Sequence, residues 1–101
     1  MKTKELGLTI SDNILYKLES VHNVQPREIE QCFLSREGVS LVDDREEHRT
    51  DPPTKWFLAY TNDNRLLKVV YVWKKDECYI KSAFEPNDKE IEIWKQKTGA
   101  K

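Results

Sequence analysis

The feature that most constrains this fold is a change of hydrophobic period at Gly38. Before it, apolar residues recur at helical spacing. After it, they alternate or cluster in strand-length runs divided by short polar turns. Val39-Ser40-Leu41-Val42 reads as a first strand, Trp56 to Thr61 as a second, Leu66 to Trp73 as a third and Cys78 to Phe84 as a fourth. Asn62-Asp63-Asn64 suits a hairpin turn, because Asn and Asp tolerate left-handed backbone. Lys74-Lys75-Asp76-Glu77 turns the chain back again. Strands joined this closely form an antiparallel meander in sequence order. Pro52 and Pro53 cannot sit in a central strand, so the charged stretch from Asp43 to Pro53 is a loop.

The rest of the chain reads as helix, apart from one short run. Leu6, Leu8 and Ile10 alternate with Gly7 and Thr9, which adds a fifth, edge strand at the N-terminus. Ser11 and Asp12 cap a helix carrying Ile14, Leu15, Leu18 and Val21 on one face. It breaks near His22-Asn23. Pro26 opens a second helix, where its missing N–H is no loss, and Glu28 suits the positive end of the dipole. Ile29, Cys32 and Phe33 form its stripe, and Gly38 ends it. Asn87 caps a last helix, with Glu90 three residues on as in a capping box, and the tail after Lys97 frays. The expected architecture is α+β: two N-terminal helices on one face of a four-stranded sheet (five with the N-terminal edge strand), then a C-terminal helix.

A chain of 101 residues makes one domain, 1–101, with one core. A net charge of -1 provides no long-range attraction for nucleic acid. Cys32 and Cys78 match no zinc spacing and read as buried free thiols of a reducing cytoplasm. No apolar run reaches membrane length, and Met1-Lys2-Thr3-Lys4 leads into no apolar signal region.

An ordered set of segments carries a family resemblance. It comprises His22 with Val24, Asp44-Arg45-Glu46 with His48, the stretch Arg49 to Pro53, Trp56, Arg65-Leu66-Leu67-Lys68-Val69-Val70, and Ile80 to Asn87 with Glu90. From about Leu8 to Trp94 the chain resembles the BrnT-like toxin superfamily. It is closer still to a branch of small bacterial proteins grouped as ADP-ribosyl-dinitrogen-reductase hydrolases. The resemblance implies a RelE-like fold and a metal-independent, cofactor-free endoribonuclease that acts on RNA or the ribosome and is neutralised by a small antitoxin protein. The family pattern ends its last strand in Ser-Ala-Arg, with that Arg a catalytic candidate. Here Ser82 and Ala83 are followed by Phe84. The alternative is a binding or regulatory module that keeps the fold without the chemistry. ADP-ribosyl hydrolysis of the metal-dependent kind would need clustered carboxylates, which the sequence does not offer on regular structure.

Cleaving RNA without metal needs a proton acceptor, a proton donor and cations for the phosphorane. His48, Arg49, Arg65 and Lys68 are the catalytic candidates, converging on a concave patch of the sheet. His22, Tyr60 and Tyr71 are candidates for substrate binding, the tyrosines by stacking on bases. Each has an ordinary reading. His22 can close a helix end, His48 can be solvated, and Arg49 can pair with Glu46 or Asp51. Arg65 and Lys68 can mark the wet face, and the tyrosines can pack across strands. Acidic residues outnumber Arg in the loop from Asp43 to Asp51, which repels RNA unless the loop folds away from the site.

Overall fold

In a computed structural model of the chain, the residues described are 3–5 (backbone only), 7–36, 40–43 and 52–99. The strands are β1 Thr3–Glu5, β2 Leu8–Ile10, β3 Leu41–Val42, β4 Thr54–Tyr60, β5 Leu66–Lys74 and β6 Glu77–Phe84. The helices are α1 Asp12–Ser20, α2 Pro26–Ser35 and α3 Asp88–Thr98. The strands form one six-stranded sheet in the order β1-β2-β6-β5-β4-β3.

From Leu41 to Phe84 neighbouring strands pair antiparallel and in sequence order, as the turns predict. The N-terminal segment departs from expectation. It is not one edge strand but a hairpin, turned through Gly7 at a φ of 78°, which favours glycine. Its second strand, β2, pairs parallel with β6 through Leu8↔Cys78 and Thr9↔Tyr79. The sheet is therefore mixed, with six strands rather than four or five. A second irregularity lies between β5 and β6, where Val70 opposes Ser82 but Tyr71 opposes Ile80. Lys81 is the extra residue, a β-bulge that bends β6.

Opposed residues share a face, so the registers sort the side chains. Phe57, Ala59, Leu67, Val69, Tyr71, Cys78, Ile80, Ala83 and Leu8 lie on one face. There they meet Leu18, Val24, Ile29 and Cys32 of α1, α2 and their junction to form the core. Trp56, Leu58, Lys68 and Phe84 lie on the other face, where α3 docks through Trp94 against Trp56 (ring centroids 5.7 Å apart).

Local chemistry sets the helix ends. Ser11 accepts from the Ile14 N–H at 3.3 Å, and Asn87 and Glu90 exchange both bonds of a capping box, as their spacing predicts. Gln25 with Glu28 makes a further capping box in front of α2. Helix α2 stops earlier than Gly38 suggests. Its last helical residue is Ser35, and Arg36 turns extended with ψ 144°. Ser35 Oγ then donates to the Tyr60 carbonyl at 2.7 Å, tying the helix end to β4. Helix α3 runs past Lys97 to Thr98, where Gly99 closes it in left-handed conformation.

Both cysteines are free and buried. Burial pushes the Cys32 thiol up to about 12, helped by the Glu28 charge and opposed by Arg65, and pushes Cys78 up to about 11. The folded state keeps these protons where the unfolded chain, with its ordinary value of 9.0, gives them up. Their contribution to stability is full below pH 9.0 and is lost as pH rises toward 11 and 12. Melting temperature should fall between pH 8.5 and 10.5 more steeply in the wild type than in Cys32→Ala. Equal slopes would mean that the thiol does not couple to folding.

Candidate functional site

Of the four residues expected to form the patch, His48 and Arg49 lie outside the described residues, and Arg65 and Lys68 lie within them. These two residues stand three positions apart at the start of β5, and the structure sends them in different directions.

Arg65 precedes the strand and reaches the α1–α2 junction. Its NH1 donates to the Asn23 carbonyl at 2.8 Å and to both Glu28 carboxylate oxygens at 3.1 Å. Its NH2 donates to the His22 carbonyl at 3.1 Å, and its Nε to Glu85 at 2.9 Å. One planar fork thus ties α1's exit, α2's first turn, β5 and the β6–α3 link together. Desolvation pulls the guanidinium's pKa down, but hydrogen bonds and charge from Glu85 and Glu28 outweigh it and the net shift is upward. The open backbone at the junction has a local cause: Asn23 adopts φ 54°, which leaves its carbonyl and that of His22 outside any helix.

Lys68 lies on the α3 face and is 9% exposed. Its Nζ donates to Glu90 Oε2 at 2.6 Å. It also sits 4.5 Å from the Trp56 ring centroid and 5.6 Å from that of Phe84. Glu90 does two jobs here: Oε1 caps α3 through the Asn87 N–H, and Oε2 holds Lys68. The cap was readable from spacing; the ion pair was not, because it joins α3 to β5, 22 residues away in sequence.

The candidate binding residues divide likewise. The His22 ring packs on Phe84, centroids 5.4 Å apart, so His22, Phe84 and Lys68 do gather at one end of the sheet. Tyr60 is 55% exposed and lines a cavity of about 810 Å³ between the end of α2 and α3. Tyr71 is on the opposite face, 6% exposed, with its ring against Phe33 and Phe57 and its hydroxyl donating to Ser40 Oγ at 2.6 Å. It belongs to the core and to the floor of a second cavity, of about 560 Å³, beside α2.

Two cations that the sequence did not single out, Arg36 and Lys55, line that second cavity. Alternation offered a signal for Lys55, a charge flanked by Thr54 and Trp56 in a strand. Arg36 offered none, because its position depends on where α2 stops. Among the described residues no group of three His, Cys, Asp or Glu side chains could hold a metal ion. Among them, too, no helix is long and apolar enough to cross a membrane. The chain matches no protein-family model, no curated protein and no solved structure.

Proposed function

We propose that this chain is a binding module on a RelE-like, toxin-type scaffold that does not cut RNA with Arg65 and Lys68. The observation that carries this reading is the state of the two cations. Arg65 directs its donors to Glu28, Glu85 and the carbonyls of residues 22 and 23, and Lys68 is held by Glu90 between two aromatic rings. A phosphate clamp must offer free donors to charge that develops in the transition state. Freeing either cation here would leave a sheltered carboxylate, Glu28 or Glu90, without its counter-charge. Phe84, where the resembling family carries Arg, supports the same reading, as does the net charge of -1. The buried free thiols favour a reducing cytoplasm as its compartment.

The second reading is a metal-independent endoribonuclease controlled by a small antitoxin. The gathering of His22, Phe84 and Lys68 favours it, since an imidazole and an ammonium flank the aromatic ring at the family's Arg position. Incubating the purified chain with RNA in EDTA, alone and with ribosomes, separates the two. The binding module leaves the RNA intact. Cleavage that disappears in folded His22→Ala or Lys68→Met protein would establish the nuclease.

A further inference from the structure

The cavity beside α2 differs in kind from the Arg65 and Lys68 contacts, and it stands whether or not the chain cleaves RNA. It opens at the C-terminal end of α2, over residues of β2, β4, β5 and β6. Its floor is a lateral row set by register, with Cys78 opposite Trp73 in β5 and beside Leu8 in β2. Leu8 and Cys78 are 3% and 1% exposed, so this floor is apolar and sealed. Phe33 and Leu34 of α2 make one wall. Trp73 stands at the mouth 53% exposed, an indole face left without cover among the described residues.

Two cations complete the lining, and both differ from the pair at the start of β5. Arg36 is held in place, and no carboxylate among the described residues pairs with it. Its guanidinium carbon lies 5.2 Å from the Phe33 centroid and 5.2 Å from that of Phe57. Its NH1 donates to Ser40 Oγ at 3.2 Å, the same oxygen that accepts from the Tyr71 hydroxyl. One hydroxyl and two rings thus fix the guanidinium, and among the described residues its other donors meet no acceptor. Lys55 lies across the sheet, opposite Tyr71 in the β4–β5 register. Among the described residues no carboxylate lines the cavity or pairs with either cation.

We propose that this cavity binds a small planar aromatic anion, with the ring against Trp73 and the Phe33 wall and the phosphate or carboxylate on Arg36 and Lys55. The volume of about 560 Å³ suits one such molecule, since ligand sites run from about 300 to 1,000 Å³. The lining chooses each part of the ligand. An apolar floor with an exposed indole favours a flat ring, and two cations that no carboxylate among the described residues faces favour an anion.

The test uses the intact chain and the indole N–H signals of its tryptophans, with Trp73 identified by Trp73→Phe and with Trp56 and Trp94 as internal references. Adenosine 5′-monophosphate probes an aromatic phosphate and indole-3-acetate an aromatic carboxylate. Adenosine and indole are the neutral parents. At least one anion should shift the Trp73 signal saturably while Trp56 and Trp94 stay still, and which one does so identifies the anionic group. Its neutral parent should bind about tenfold more weakly, and so should the anion to Arg36→Gln, since one charge-assisted contact is lost in each case. Arg36 also packs on the core ring of Phe57, so Lys55→Gln provides the same comparison without touching the core. Failure of both anions to shift Trp73, neutral parents binding as well as the anions, or unchanged affinity in both variants would overturn the proposal.

Discussion

Arg65→Ala should lower the melting temperature by roughly 15 °C. The substitution removes the counter-charge and two donors from the Glu28 carboxylate, which keeps only the Gln25 N–H, and one donor each from the carbonyls of His22 and Asn23. Glu28 and Arg65 keep only 18% and 22% of their side-chain surface exposed, so water restores these contacts incompletely. Glu85, at 66%, is rehydrated readily and adds little. A loss of about 2–3 kcal/mol is expected from leaving a sheltered carboxylate without its counter-charge and its neighbouring carbonyls without their donor. In a domain of this size each kcal/mol moves the melting temperature by about 4–8 °C. Arg65→Lys should recover only part, because one ammonium cannot span partners on both sides of the fork. Thermal unfolding followed by circular dichroism decides it. A change under about 2 °C would mean that Arg65 is an ordinary surface cation whose contacts are incidental.

The largest loss of stability is expected from Phe57→Ala, about 3–5 kcal/mol. Phe57 is fully buried at 0% exposure, on β4 at the centre of the core face. Its ring meets Phe33 edge-on at 4.9 Å and Tyr71 at 6.0 Å, and the Arg36 guanidinium lies over it. Truncation therefore opens a cavity and removes aromatic contacts together. Phe57→Leu should cost less than half as much, since it refills most of the volume. Urea unfolding midpoints of the two variants measure this. A cost for Phe57→Ala below about 1 kcal/mol would place the core elsewhere than on this face.

Much of the fold was legible because its signals are local. Ser11, Pro26 and the Asn87–Glu90 pair each act on backbone within a few residues, and the helices they start are where their chemistry puts them. The Asn62-Asp63-Asn64 turn likewise fixes the β4–β5 hairpin, with Asn64 at φ 63°. What stayed hidden depends on pairing at a distance. Nothing near Leu8 announces that it lies parallel to Cys78, because the connection is the rest of the fold and not a turn. Lys81 bulges because of what opposes it, which its own neighbours do not encode.

The site divides in the same way. Residue type drew notice to Arg65 and Lys68 as cations at the start of a strand pattern, but type does not reveal partners. Arg65's acceptors come from three other segments of the chain, and Lys68's from α3. Both are therefore occupied where the sequence alone allowed them to be free. Arg36 and Lys55 drew no notice, because their lining one cavity with no carboxylate among the described residues depends on where α2 stops and on which strands pair.

The most direct measurement of whether Lys68 belongs to the architecture is a double-mutant cycle with Glu90, using Lys68→Met and Glu90→Gln. Gln still completes the capping box, so the cycle isolates the charge pair from the cap. Urea unfolding of the four proteins should give a coupling of about 1 kcal/mol or more, as expected for a sheltered, hydrogen-bonded pair. Additive single-mutant effects, with no coupling, would contradict this and leave Lys68 available for chemistry.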